Sequence, residues 1–426
     1  MLSKDGEFMK YDMSFLGLGV SNWSVLKYMI ENMHGNYFIS SVDRIDEEKK
    51  AYLKENNVDF EEGENSSLVL NTKVLVISPS VKPDNLILKK AVDSDIEVKI
   101  DIELFFDFLQ DNPRLIAITG TNGKTTTVEM ITHILKNGYK AYSVGNIGNS
   151  AFEYLSENLN DACLIFELSS FQIKHIKNLK RTFNVSGITN IAEDHLEWHG
   201  SYENYRDDKL GIKDLSEVLF IPSNNNWLTD SDSSVFFYDD IQTENKYLLP
   251  ENIKGEHNKK NALLACSCCS LMGLTDDEIL KSLASFKFGE HRMEVFLIKN
   301  SRTYIDDSKS TNAHSLFWAL KSLKGNILLL AGAKDKGDDY VNLGLLISEK
   351  VKKTYLCGES SKRLSDCIPG ENKEIFGNWD DAIKKAIDES EPGDIILFSP
   401  GGSSFDMFTN YKERGRYFKQ MVKENT

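Results

Sequence analysis

Residues 115–126 read LIAITGTNGKTT. The first five are apolar or β-branched and bounded by polar residues, the pattern of a strand buried on both faces. The turn Gly120-Thr121-Asn122-Gly123 comes next, and Lys124, Thr125 and Thr126 open a helical stretch. Strand, glycine-rich turn and helix N-terminus together aim free backbone N–H groups at a phosphate. Lys124 is placed to reach terminal phosphates, and the Thr125 hydroxyl to ligate Mg2+. A general phosphate loop has a further glycine five residues before Gly123. Here that position is Ile118 and the glycine is Gly120, so the loop is a variant.

The same strand-to-helix rhythm extends in both directions. Apolar runs at 13–18, 37–42, 73–78 and 97–100 precede the loop. Helical stretches such as 25–32 and 85–92 separate them. Runs at 141–144, 162–168 and 185–191 come after it, then 293–298, 303–306, 327–331, 353–357 and 394–398. Strand, crossover helix, parallel strand predicts an α/β chain. Turn clusters at Asp111-Asn112-Pro113 and Phe288-Gly289-Glu290 divide it into 1–110, 111–288 and 289–426. The Asn-, Asp- and Ser-rich stretch 223–240 reads as a surface loop or excursion.

Composition narrows the function. The 426 residues are 41% hydrophobic and 27% charged, which excludes a disordered or fibrous chain. Fifty Lys and Arg against 65 Asp and Glu give a net charge of -15, so no nucleic-acid partner is expected. No apolar run approaches the ~18 residues of a membrane span, and no membrane insertion is expected. The opening MLSKDGEFMKYD has no apolar leader segment, and six cysteines are too sparse for a disulfide framework. A cytoplasmic chain is expected. Cys266, Cys268 and Cys269 read as a buried helix face with free thiols.

Three further constellations carry chemistry. Gly17-Leu18-Gly19-Val20-Ser21-Asn22 comes after a strand and resembles a dinucleotide fingerprint, with Asp43 after the next strand. Its third glycine is Asn22, which leaves a dinucleotide site, another phosphate-bearing ligand and a plain turn all open. Glu167, Asp194, His195, His199 and Lys209 form a spread of acids, imidazoles and a lysine, of which Glu167 and His195 both follow strands of the sheet that carries the phosphate loop. Carboxylate and neutral imidazole suit Mg2+ or Mn2+ beside a nucleotide. Polar turns at 306–312, 332–337 and 399–406 each come after a strand, and together would line one sheet edge and hold a small carboxylate.

The order of these motifs resembles the Mur ligase family: ITGTNGKTT, GNIG (145–148), ELSSFQ (167–172), NIAEDHLEWHGSYENYRDDK (190–209), HNKKN (257–261), HRME (291–294), DDSKSTN (306–312) and SPGGSSFDMFTNYKERG (399–415). The resemblance implies three domains: a Rossmann-like N-terminal one for a UDP-sugar, a central P-loop ATPase-type α/β domain, and a Rossmann-like C-terminal one. It implies ATP-dependent ligation in peptidoglycan precursor synthesis, through an acyl phosphate. Within the family, the branch that adds D-glutamate to UDP-N-acetylmuramoyl-L-alanine is the most similar. The implied cofactors are ATP and Mg2+ at two sites, and the implied state is a monomer.

The resemblance also assigns residues. Gly120, Thr121, Asn122, Gly123, Lys124, Thr125 and Thr126 match the ATP phosphate loop, with Asn261, Arg292 and Asp307 on the nucleoside side. Thr125, Glu167, His195 and Lys209 match the metal set, Lys209 as a carbamate. Lys124, Asn146, His195 and Lys209 match the catalytic set. Gly17, Leu18, Gly19, Val20, Ser21, Asp43, Arg44, Ser78 and Ser80 match the uridine-diphosphate region. Lys309, Thr311, Lys336, Ser404, Phe405 and Tyr411 match the D-glutamate pocket. The chain departs from the family at Asn22, at Asp306 where Asn is common, at Gly401-Gly402 and at Tyr411. A relative adding another amino acid, a non-catalytic nucleotide binder and an NAD-dependent dehydrogenase are the competing readings. The intact Lys124, Glu167, His195 and Lys209 set disfavours the second, and the phosphate loop and Asn22 disfavour the third.

Overall fold

The structure is a computed structural model that describes residues 10–225, 227–228, 233–240, 243, 246–335 and 338–426. It forms two compact units: Met1–Pro250 with Lys260–Ala284, and Glu251–Lys259 with Ser285–Thr426. The first unit holds two parallel sheets. One is ordered Asp59–Glu62, Tyr37–Ser41, Tyr11–Leu16, Thr72–Ile77, Glu97–Lys99. The other is ordered Val235–Phe237, Leu219–Ile221, Val185–Ile188, Arg114–Thr119, Ala162–Glu167, Lys140–Gly145. Both turn back on themselves beside their first strand. The chain leaves Tyr11–Leu16 to one side for Tyr37–Ser41 and later returns to its other side with Thr72–Ile77. Arg114–Thr119 lies likewise between Ala162–Glu167 and Val185–Ile188. Open α/β sheets bind ligands at such reversals, beyond the carboxyl ends of the strands.

The two sheets share a continuous apolar core. The helix Asp101–Phe108 lies between them in sequence and sends Phe105 and Phe106 against Phe166 of the second sheet, with ring centroids 6.0 and 5.7 Å away. Phe183 stacks edge-on against Phe166 at 5.6 Å. The helix that precedes the turn at 111–113 is therefore packed firmly onto the sheet on the other side of that turn.

The second unit carries one sheet, ordered Glu294–Lys299, Arg302–Asp306, Ile395–Phe398, Ile327–Ala331, Val351–Cys357, Lys373–Phe376. Only the hairpin of its first two strands is antiparallel. Arg302–Asp306, Ile395–Phe398 and Ile327–Ala331 are adjacent and parallel, so the turns 306–312 and 399–406 and the described residues 332–335 of the third come after neighbouring strand ends at one sheet edge.

The sequence reading missed four strands: Asp59–Glu62, Leu219–Ile221, Val235–Phe237 and Lys373–Phe376. Three of them are sheet edges. Val235–Phe237 lies within the stretch 223–240 that reads as a loop or excursion. Cys266, Cys268 and Cys269 lie buried as free thiols on the helix Glu256–Leu271, as expected. Among the described residues, no helix is long and apolar enough to cross a membrane.

Candidate active site

The phosphate loop is built on Gly123. It takes φ +84° as the N-cap of the helix Lys124–Leu135, and a Cβ there would stand 2.4 Å from Asn261 Oδ1. Only glycine meets both conditions. The loop is stitched to the segment after Val185–Ile188. Asn122 N donates to Asn190 Oδ1 at 3.1 Å, and Thr189 Oγ1 donates to Asn122 O at 2.6 Å. Thr121 Oγ1 meets the Tyr205 hydroxyl at 2.8 Å.

Two lysines converge on one carbonyl. Lys124 Nζ donates to Gly120 O at 2.8 Å and to Thr121 O at 2.9 Å. Lys209 Nζ donates to the same Gly120 O at 2.9 Å. Lys209 is 2% exposed and its ammonium lies 4.8 Å from the Tyr205 ring centroid. Burial, and then the neighbouring charge of Lys124, hold the Lys209 ammonium well below the usual lysine range.

Glu167 ends the strand Ala162–Glu167, next to the loop strand. It is 2% exposed. Its Oε1 accepts from Asn146 Nδ2 at 2.9 Å, while its Oε2 is buried with no protein partner. A buried carboxylate oxygen left bare costs several kcal/mol unless a cation or water meets it, so the donor set fits a metal ion. His195 stands nearby in chain order, in the left-handed region at φ +54°, with its ring 5.0 Å from that of Phe171. For a residue with a Cβ this conformation is strained, and surrounding contacts must hold it. Trp198 Nε1 donates to Ser80 O at 3.0 Å and Lys82 Nζ to Glu197 O at 3.1 Å. These two bonds clasp the His195 segment to the turn after Thr72–Ile77.

His199, read from the sequence among the metal-suited residues, serves otherwise. Its Nε2 meets Ser170 Oγ at 2.9 Å and its Nδ1 meets Asp208 Oδ2 at 3.0 Å, so both ring nitrogens are used. Asp208 also draws Lys174 and Lys177 at 3.2 Å each. These bonds pin the helix Tyr202–Leu210, which Ser201 caps, and point its next residue, Lys209, inward. Ser170, Phe171, Tyr205 and Asp208 escaped the sequence reading. One signal was available: Tyr205 and Lys209 are spaced i, i+4 on one helix face.

In the first sheet, Gly17, Asp43 and Ser78 lie just past three adjacent parallel strands, which brings the predicted uridine-diphosphate residues to one sheet edge. Leu18 packs on the core, whereas Val20 is exposed.

In the second unit, Lys309 Nζ lies 3.9 Å from the Tyr411 ring centroid, a cation–π contact. Ser404 is buried and Phe405 is exposed. Lys336 lies outside the described residues. Arg414, not singled out from the sequence, is fully buried. Its Nε donates to Ser308 Oγ at 3.1 Å and its Nη2 to Ser308 O and Gly402 O at 2.9 and 3.0 Å. It thereby welds the Lys309 turn to the Ser404 turn. Asp306 pairs with His291 Nδ1 at 2.6 Å. His291, Glu294 and Asp306 are close enough to hold a cation, but the Lys419 ammonium already sits 2.6 Å from Glu294 and 3.8 Å from Asp306.

Asp307 is buried, with Ser399 Oγ donating to Oδ2 at 2.6 Å and Met293 N to Oδ1 at 3.1 Å. Burial pushes its carboxyl up to about 7 against those bonds. An acid that holds its proton more tightly when folded weakens the fold as it ionises. Its cost grows as pH rises from about 4 to about 7. Asp307→Asn is therefore expected to gain thermal midpoint over wild type as pH rises from about 5 to about 8, with the gap closing near pH 4. A gap that stays constant in thermal melts across that range would contradict the assignment.

The comparisons with known proteins agree along the chain. Residues 12–87 match the MurD N-terminal domain, 118–240 the Mur ligase middle domain, and 291–402 the Mur ligase glutamate ligase domain. The UDP-N-acetylmuramoylalanine--D-glutamate ligase of Thermotoga sp. (strain RQ2) is 32% identical, covering 96% of this chain and 98% of that protein. The enzyme of the same name from Thermosipho africanus is 33% identical, covering 97% and 98%. Among solved structures, the UDP-N-acetylmuramate-alanine ligase MurC of Thermotoga maritima aligns with a TM-score of 0.63 at 18% identity, covering 98% of this chain and 100% of that one. The MurF ligase of Thermotoga maritima in complex with ADP gives 0.62 at 14% identity, covering 93% and 96%. Identity above 30% over nearly the full length of these relatives, with three matched domains in order, places this chain in the Mur ligase family.

Proposed function

We propose that this chain is an ATP-dependent, ADP-forming ligase that joins D-glutamate to UDP-N-acetylmuramoyl-L-alanine, in the making of peptidoglycan precursors. The observation that carries the chemistry is the meeting of Lys124 and Lys209 on Gly120 O, in the sheet whose next strand ends in the buried Glu167. The choice of D-glutamate rests on the relatives that share about a third of the residues end to end.

In this reading the loop 120–126, with the N-terminus of the helix Lys124–Leu135, receives the ATP phosphates, and Lys124 turns from the loop carbonyls to the terminal phosphate. Asn261, Arg292 and Asp307 take the nucleoside side. Thr125, Glu167, His195 and the carbamate of Lys209 would hold Mg2+ at two sites, where it neutralises phosphate charge. The N-acetylmuramoyl-alanine carboxylate oxygen attacks the γ-phosphorus as the bond to the ADP oxygen breaks. The amine of D-glutamate attacks the resulting acyl phosphate carbonyl, phosphate leaves with the bonding pair, and the new amide sheds the amine proton. Asn146, held beside Glu167, orients the reacting carbonyl region. Residues 17–21, Asp43, Arg44, Ser78 and Ser80 receive the uridine diphosphate. Lys309, Thr311, Lys336 and Ser404 receive the D-glutamate carboxylates, with Phe405 and Tyr411 as walls. The working unit is one chain, in the domains 1–110, 111–288 and 289–426.

The test is phosphate release with ATP, Mg2+ and UDP-N-acetylmuramoyl-L-alanine, across D-glutamate, L-glutamate, L-alanine and meso-diaminopimelate. Release with D-glutamate alone is expected. Release with another amino acid instead would overturn the assignment of the pocket around Ser404, and silence with all four would overturn the ligase reading.

A further inference from the structure

The sequence departs from the usual glycine turn at Asn22, and that departure has a structural consequence. The third glycine of such a turn normally lets the helix lie close against the strand. Asn22 is instead a fully buried amide. Its Nδ2 donates to Gly17 O at 2.9 Å and reaches Leu16 O and Ser78 Oγ at 3.4 Å each. One side chain thus joins the end of the strand Tyr11–Leu16, the turn itself and the residue just past Thr72–Ile77.

Gly17 is the residue that most needs holding. It takes φ +87°, and a Cβ there would stand 2.7 Å from Ser78 Oγ. Its N–H already donates to Ser40 O at 2.8 Å. With Asn22 on its carbonyl, both backbone polar groups of Gly17 are bound, each by a different element. Asp101 is a second buried polar side chain, at the N-terminus of the helix Asp101–Phe108. Asn22 Oδ1 and Asp101 Oδ1 are both buried without a protein partner. Burying two polar side chains in this way costs free energy that an alanine or glycine would not incur. A plain strand-to-helix turn would have no need of them.

We infer that Asn22 is a positioning residue for the nucleotide-sugar substrate. It fixes Gly17 and Ser78 against each other so that the turn presents its N–H groups to the diphosphate in one arrangement. The inference rests on the reading of the first sheet as the UDP-binding one.

Calorimetric titration of the full chain with UDP, and separately with ATP, tests it. Asn22→Ala is expected to weaken UDP binding roughly tenfold, the usual scale for a lost buried donor, with ATP binding unchanged. Asn22→Asp, which keeps the volume, and Asn22→Leu, which keeps the branched shape, both lose the donor and so separate donation from space filling. Either is expected to bind UDP no better than Asn22→Ala. Thermal melts identify a variant that fails to fold, and the other then decides. Wild-type UDP affinity in Asn22→Leu, or a parallel loss of UDP and ATP binding in Asn22→Ala, would overturn the inference. Wild-type protein that binds ATP but not UDP would overturn the nucleotide-sugar reading itself, and this inference with it.

Discussion

Replacing Lys209 by arginine is expected to lower ligation by roughly a thousandfold, the scale for losing a preorganised group at developing charge. Burial is the first cause. Lys209 is 2% exposed and shares the Gly120 carbonyl with Lys124. Desolvation and the Lys124 charge together favour its neutral amine. In the proposed reading, the neutral amine attacks CO2, forms a carbamate and releases one proton, which would turn a cation into a carboxylate-like anion. A guanidinium stays charged in proteins and offers no such nucleophile. Removing CO2 from the buffer is therefore expected to lower wild-type turnover, and bicarbonate to restore it. Bicarbonate is expected to do nothing for Lys209→Arg. Isotopically labelled CO2 gives a second readout, a carbamate carbonyl resonance in the wild type that the variant lacks. Near-normal turnover of Lys209→Arg would sink the carbamate assignment.

How much of this is visible in the sequence depends on where each residue sits. Strands such as Ile327–Ala331 are apolar at every position because they are covered on both faces, and they stand out in any reading. Edge strands carry no such mark. Asp59–Glu62 reads DFEE, with both ends exposed, and is a strand because Phe38–Ser41 offers it backbone partners. The helix Val20–Asn32 begins five residues before the stretch read from the sequence. Its N-cap is Gly19, with no side-chain capping bond to announce it. The residues read as candidate ligand contacts lie in compact runs with glycine, lysine or acid at fixed offsets, so Lys124, Glu167, His195 and Lys209 stand out in the sequence. Residues that hold them in place are not. Arg414 serves Ser308, 106 positions away, and Ser170 serves His199, 29 positions away. Such pairs have no local spacing to read. In the sequence Asp306 is only a departure from the family pattern, and its pairing with His291 becomes evident once the strand Arg302–Asp306 is in place.

Glu167→Gln is expected to abolish turnover while making the metal-free protein more stable, and the opposite signs make it the sharper test of the metal site. The carboxylate is buried in the central sheet. One oxygen accepts from Asn146 at 2.9 Å, and the other has no protein partner. Glutamine keeps the first bond, since its carbonyl can accept from Asn146 Nδ2. It removes the acid group, so the cost of burying a carboxyl with one oxygen left bare falls. Without Mg2+ the variant should therefore be more stable by about 1 kcal/mol or more. Adding Mg2+ reverses the order. A ligand that binds only the folded state raises stability with its concentration above Kd, so the wild type gains thermal midpoint and the variant gains little. Turnover falls roughly a thousandfold, because the phosphate charge that builds during transfer loses its countercharge. Melting curves with and without Mg2+ separate this from a purely structural role. If Glu167 were only a hydrogen-bond partner for Asn146, glutamine would serve as well, and Mg2+ would raise both midpoints equally. That result would move the metal away from Glu167. A variant stabilised without metal, unresponsive to it and inactive would place the ion at the bare oxygen.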